Sequence, residues 1–179
     1  TVQGKVGKGW EFDGSDDYVN LGDDSSLQPD TLTVSAWFKT DKDYSAAGFI
    51  IRKRAYGYHL GINADDKITF KIYEDSSNQA DAVSTSTYND GNWHHAVGVY
   101  ENGVAELFID GVSQGTNDAG GTGGGIYYTA NGIAIGRDGN NDGYYFDGLI
   151  DELRVDDTAR TASEIRQAYE IGRRTHPIT

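Results

Sequence analysis

With 179 residues, a hydrophobic share of 37% and 12 tyrosines, the chain has enough apolar material for one all-β domain and does not have the composition of a disordered polymer. A formal charge of -13 argues against a nucleic-acid backbone or an anionic membrane surface as partner, since either demands a cationic footprint. Without cysteine there is no disulfide framework and no thiol chemistry, and no apolar run reaches the ~20 residues of a membrane-spanning helix. The chain also lacks methionine and reads as a module of a longer protein.

Gly9 to Leu21 reads as a strand, an acidic turn opened by Asp13-Gly14, and a second strand resuming at Tyr18. Pro29-Asp30 then leads into a half-buried strand over Thr31 to Lys39, with Leu32, Val34, Ala36 and Phe38 on one face. Further short strands are expected at 48–54, 57–63, 67–73 and 82–87, a spacing that favours a sandwich over alternating βα units. The clearest strand signal lies between Asn92 and Gly111. Asn102-Gly103 and Asp110-Gly111 suit tight two-residue turns, so three segments form an antiparallel meander. Trp93, His95, Val97 and Val99 share one face, and His94, Ala96, Gly98 and Tyr100 the other. The glycine-rich run 119–125 reads as a surface loop, with strands resuming at 132–136 and 144–155. Thr161-Ala162-Ser163-Glu164 fits a capping box and starts a helix that Gly172 stops; Arg173 to Thr179 reads as an exit towards another domain.

Several pieces recur in a recognisable order: Phe12-Asp13-Gly14 with Asp17-Tyr18-Val19, Leu32 to Phe38, Gly57-Tyr58-His59-Leu60, Trp93 to Val97, Leu107 to Gly111, Ile135-Gly136, and Phe146 to Val155. Together, from about Gly9 to Ile171, they resemble the laminin-G-like, concanavalin-type jelly-roll domains. The resemblance implies an all-β sandwich of two curved antiparallel sheets with one short C-terminal helix, extracellular or cell-surface display, and in many members a bound calcium ion. Such domains bind glycans, bind proteins or space other domains, so the fold does not settle the function.

Asp151 stands out by pattern, because strict alternation puts its carboxylate on one strand face with Leu149, Leu153 and Val155. A buried carboxylate must be paired, hydrogen-bonded or metal-bound. Similar domains hold calcium between the early acidic turn and this late strand, which implies Asp13, Asp17 and Asp151 as ligands of a structural calcium ion. The alternative is that Asp13 makes an Asx turn and Asp151 accepts backbone hydrogen bonds. A second set, Asp138, Asn140 and Asp142, matches the opening of a calcium loop, but Leu149 stands where its bidentate Glu belongs, and an ordinary hairpin loop is the competing reading.

Catalysis is disfavoured. In glycosidases of the resembled fold the carboxylates run Glu-x-Asp-x-x-Glu along one strand, whereas here Glu11-Phe12-Asp13-Gly14-Ser15-Asp16 breaks into a turn. His94 and His95 point to opposite strand faces and cannot act together. Sugar sites combine aromatic faces with planar polar groups. Tyr44, Arg52, Lys53, Tyr56, Tyr58, Tyr127, Tyr128, Arg137, Tyr144 and Tyr145 supply that mixture in loops, pointing to a non-catalytic module for polysaccharide or glycoconjugate. The alternative is a structural or protein-binding spacer that meets neighbouring surface-protein domains.

Overall fold

The computed structural model describes residues 1–118, 125–139 and 143–174. In chain order the strands are β1 (Val2–Gln3), β2 (Lys8–Asp13), β3 (Val19–Gly22), β4 (Leu32–Lys39), β5 (Gly48–Lys53), β6 (Tyr58–Ile62) and β7 (Lys67–Tyr73). There follow β8 (Gln79–Thr87), β9 (His94–Glu101), β10 (Val104–Ile109), β11 (Val112–Asp118), β12 (Ile133–Ile135), β13 (Asp147–Asp156) and the helix α1 (Ala162–Gly172). They form a seven-stranded sheet, β1-β2-β13-β4-β9-β10-β11, and a six-stranded sheet, β3-β12-β5-β6-β7-β8. The all-β jelly-roll expectation holds.

The meander arises as its turns dictate. Asn102 and Gly103 adopt φ of 51° and 87°, and Asp110 and Gly111 adopt 53° and 75°, the paired positive angles whose twist matches that of the flanking strands. The Thr161 capping box is present in full, with Thr161 accepting from the Glu164 amide while the Glu164 carboxylate accepts from the Thr161 amide.

Alternation then sorts each strand into an inner and an outer face. Val34, Ala36 and Phe38 of β4 and Ala96 and Tyr100 of β9 meet Leu60, Phe70 and Ile72 of the opposing sheet in one continuous core. Each large side chain so enclosed contributes about 1.5–3 kcal/mol. Gly98 lies under the Phe70 ring, where a Cβ would enter the space of the ring. The outer face of the seven-stranded sheet is capped by α1, whose Ile165 packs on Val97, Val99 and Phe108. Tyr169 stacks over Trp37 at 5.7 Å and over His95 at 6.5 Å. Among the described residues the outer face of β5 to β8 has no such lid, and this asymmetry positions the site.

Strand β13 departs from strict alternation. The β13–β4 register shifts between Asp151 and Arg154, and Glu152 takes φ of 48°, a bulge that turns the following residues over. Leu153 and Val155 therefore pack against the core, whereas Asp151 lies opposite Trp37 on the outer face. The face shared by Asp151 with Leu153 and Val155, expected from the sequence, does not form.

Candidate functional site

The solvent face of the six-stranded sheet is built from the positions that alternate with the core. Leu60 and Ile62, Ile68, Phe70 and Ile72, and Ala80 and Ala82 point inward, so His59, Thr69, Lys71, Tyr73, Asp81 and Val83 point outward. Register aligns the polar ones into a row, because Arg52 pairs with His59, His59 with Lys71, and Lys71 with Asp81. The parallel row Phe49, Gly61, Thr69 and Val83 has a glycine in its middle, which leaves a depression in the sheet surface. A groove open to solvent runs over both rows, with Phe49 and Tyr144 at one end and Tyr73 at the other.

Every charge in the row is matched. Lys71 Nζ lies 2.9 Å from Asp81 Oδ2, and Arg52 Nε lies 3.5 Å from Asp138 Oδ1. The Arg52 guanidinium also sits 4.4 Å over the Phe49 ring, a cation–π contact. Burial, reinforced by the neighbouring Arg52 and Lys71 charges, holds the His59 pKa well below its ordinary value, so the ring is neutral near pH 7. Its Nε2 is 3.3 Å from Thr69 Oγ1. The row thus offers donors and acceptors in fixed positions with no net charge.

Aromatic rings mark both ends. Tyr144, half exposed, meets Phe49 edge-on at 5.9 Å, and Phe49 in turn packs on His59 at 5.0 Å. At the far end Tyr56 contacts Tyr73 at 5.6 Å and Tyr127 at 5.0 Å. The loop carrying Tyr127 is pinned there by a hydrogen bond from its backbone N–H to the Tyr73 carbonyl, at 2.7 Å.

Of the tyrosines and cations expected to bind, Arg52, Tyr56, Tyr127 and Tyr144 reach this groove or its rim. Others do not. Tyr44 is in the core, its hydroxyl accepting from the Asp147 amide at 2.9 Å and donating to the Asp147 carbonyl at 3.2 Å. Gly48 leaves the room that the Tyr44 ring fills. Tyr58 is fully buried with its hydroxyl on the Leu27 carbonyl, and Lys53 is buried with its ammonium on the Asp23 carboxylate and the Asn131 carbonyl. Tyr128 donates to the Pro29 carbonyl at 2.8 Å and packs against the core. Arg137 is buried over the Tyr18 ring, 3.4 Å away, and Tyr145 is half-buried outside the groove lining. Loop tyrosines of a sandwich commonly cap its ends, burying the ring and bonding the hydroxyl to a backbone carbonyl. Phe49, His59, Thr69, Lys71, Tyr73 and Asp81 were not foreseen; the outward half of the alternation that identified the core finds those of β6 to β8, whereas Phe49 shares a face with Arg52 only through the bulge between them.

The acidic residues also separate. Asp147, and not Asp151, stands opposite Asp13 across β2 and β13, and Asp151 lies four residues further along the strand, about 13 Å away. Asp13 Oδ1 accepts from the Ser15 and Asp16 amides, and Asp17 Oδ2 accepts from the Asp13 amide, which is an Asx-type turn. Asp151 accepts from the Val6 and Glu152 amides, each at 2.8 Å. Asp13, Asp17 and Asp151 therefore do not make one calcium ligand set, and among the described residues no group of three or more acidic or histidine side chains converges as a cation site. Asp138 is buried beside Arg52; Asn140 and Asp142 lie outside the described residues.

His94 and His95 part as a strand requires. Burial opposes the charge on His94, but hydrogen bonds to Asp110 (2.8 Å) and Asp90 (3.1 Å) outweigh it and raise its pKa. His95 lies against Trp37 at 5.0 Å, and burial lowers its pKa to about 4.

No helix among the described residues is long and apolar enough to cross a membrane. The chain is similar to the CBM40 domain of the Ruminococcus gnavus IT-sialidase, with TM-score 0.73 and 13% identity over 90% of this chain and 96% of that one. That domain has also been solved bound to alpha2,3 sialyllactose. It is similar too to Domain 4 of AbnA, a GH43 extracellular arabinanase from Geobacillus stearothermophilus, in complex with arabinotriose (TM-score 0.71, 22% identity, 93% of this chain and 78% of that one). A third likeness is the native heptameric SAP-like pentraxin from Limulus polyphemus, with TM-score 0.63 and 17% identity over 89% of this chain and 80% of that one. At these identities the likenesses establish the fold. No curated protein matches the chain. Residues 13–166 match the model of a family described as the concanavalin A-like lectin/glucanases superfamily, and the chain belongs to it.

Proposed function

We propose that this domain is a non-catalytic carbohydrate-binding module, displayed outside the cell, that holds polysaccharide or glycoconjugate on the solvent face of β5 to β8. The observation that carries the reading is the row Arg52, His59, Lys71, Asp81 lying between aromatic rings on the sheet face that α1 leaves bare. Sugar rings present apolar faces to aromatics and hydroxyls to paired polar groups, and this groove supplies both from rigid strands. Likeness to domains solved with arabinotriose and with sialyllactose supports it. Hydrolysis is not part of the reading. Asp81 and Asp138 stand at opposite ends of a row four strands wide, about 14 Å, whereas retaining glycosidases need their carboxyls ~5 Å apart. Asp13, Asp17 and Asp151 are not assigned to one calcium ion, because Asp147 and not Asp151 stands opposite Asp13. A glycan array probed with the wild-type domain and with Tyr144→Ala tests the proposal. Binding that the substitution abolishes at unchanged melting temperature is the expected result, and an array blank for the wild type overturns it.

A second reading, contact with a neighbouring protein domain, has one specific support. Trp10 is 56% exposed above an apolar cleft between the sheet edges, lined by Phe12, Val19, Ile135 and Ile150. Loss of glycan binding in Trp10→Ser would move the sugar site to that cleft.

A further inference from the structure

We infer that the groove selects uncharged, linear oligosaccharide segments long enough to bridge Tyr144 and Tyr73, and discriminates against acidic sugars. The inference rests on the carbohydrate reading above and adds the class and minimum length of the ligand.

Charge comes first. Two cations, Arg52 and Lys71, face two carboxylates, Asp138 and Asp81, so the row sums to zero. A carboxylated sugar that reaches Arg52 or Lys71 meets a cation whose charge is already balanced by Asp138, itself buried, or by Asp81, and so brings a second negative charge beside a carboxylate. The protein as a whole, at -13, adds long-range repulsion of any polyanion. A neutral sugar keeps both pairs and uses their spare valences. Lys71 retains donor hydrogens beyond the one directed at Asp81. The unprotonated His59 between them adds no charge.

Length follows from register. Phe49 lies two strands, about 10 Å, across the sheet from Thr69, and Tyr73 is four residues, about 13 Å, further along β7, so the two aromatic ends are about 16 Å apart on the diagonal. A single ring fills one platform only. A linear chain laid along β6 and β7 reaches both, passing over the polar row between them, with Gly61 removing the side chain that would obstruct it. The rings stay put on binding, since Tyr144 is braced on Phe49 and Tyr73 on Tyr56, so little side-chain freedom is lost.

The test is isothermal titration calorimetry against two matched ladders of two to six residues, one of neutral pentose or hexose oligomers and one of uronic-acid oligomers, with sialyllactose alongside. Affinity is expected to rise about tenfold between the dimer and the tetramer of the preferred neutral series, as the second aromatic platform is engaged. Tyr73→Ala is expected to remove that gain, so that the dimer and the tetramer bind with similar affinity. Asp81→Asn, which keeps the shape and frees Lys71, is expected to improve acidic-oligomer binding several-fold. Tighter binding of the acidic ladder by the wild type, or affinity that is already maximal at the disaccharide, overturns the inference while the carbohydrate reading stands. Silence from both ladders and from sialyllactose overturns the reading itself.

Discussion

Asp151 Oδ2 accepts the backbone N–H of Val6 at 2.8 Å, tying the N-terminal loop to a strand 145 residues away. The carboxylate is buried, and Gly4 and Gly9 provide the space it occupies. Asp151→Ala leaves the Val6 amide without this partner. The expected cost is about 2 kcal/mol by urea denaturation, equal with calcium and with chelator. A loss that appears only in the presence of calcium would show that Asp151 works through a cation instead.

Gly98→Ala is expected to destabilise the sandwich by about 1–3 kcal/mol, because the new methyl enters the space of the Phe70 ring across the core. Phe70→Leu in the same chain makes room. The double variant should recover part of the loss, which a double-mutant cycle measures directly.

Lys53 and Asp23 form a structural pair away from the groove. Asp23→Ala leaves the buried ammonium on the Asn131 carbonyl without its counter-charge, and a loss of about 2 kcal/mol is expected, discounted because Asp23 is partly exposed. Groove variants should behave in the opposite way. Tyr144→Ala is expected to leave the urea midpoint unchanged within error while abolishing glycan binding.

Stability should fall on mild acidification. His95, with its pKa lowered to about 4, and His59, also lowered, bind protons more readily in the unfolded chain, so their contribution is full above about pH 6.5 and is lost as the pH falls towards the folded values. Between pH 7 and 5 the His95 share of that loss is about 2 kcal/mol. His94 acts in the other direction. Its raised pKa gives stability that is full below about pH 6.5 and lost as the pH rises through the folded value. Replacing His95 with Phe, which keeps a ring beside Trp37, should flatten the slope between pH 7 and 5. An unchanged slope would reject the assignment.

The strands, the two positive-φ turns of the meander and the capped helix were legible in the sequence because each is a local device. Alternation with period two, Asn-Gly and Asp-Gly pairs and a capping box all act over fewer than ten residues. The superfamily was legible for the same reason, as a succession of such pieces. The site was not. Tyr44 and Tyr58 looked like loop aromatics free to bind, and became core when sheet ends closed around them; Lys53 looked like a surface cation and found Asp23 inside.

Asp151 shows the limit most plainly. One bulge at Glu152 reverses every inward and outward assignment beyond it, and nothing short of pairing with β4 announces the bulge. Likewise Arg52, His59, Lys71 and Asp81 belong to four strands and carry no shared motif. The sequence by itself determined the candidates for the outward faces, and their facing wherever no bulge interrupts a strand. Only the tertiary structure decided that four of them line up across the sheet with their charges cancelled, because register between strands is set by the packing of the whole core and not by any one segment.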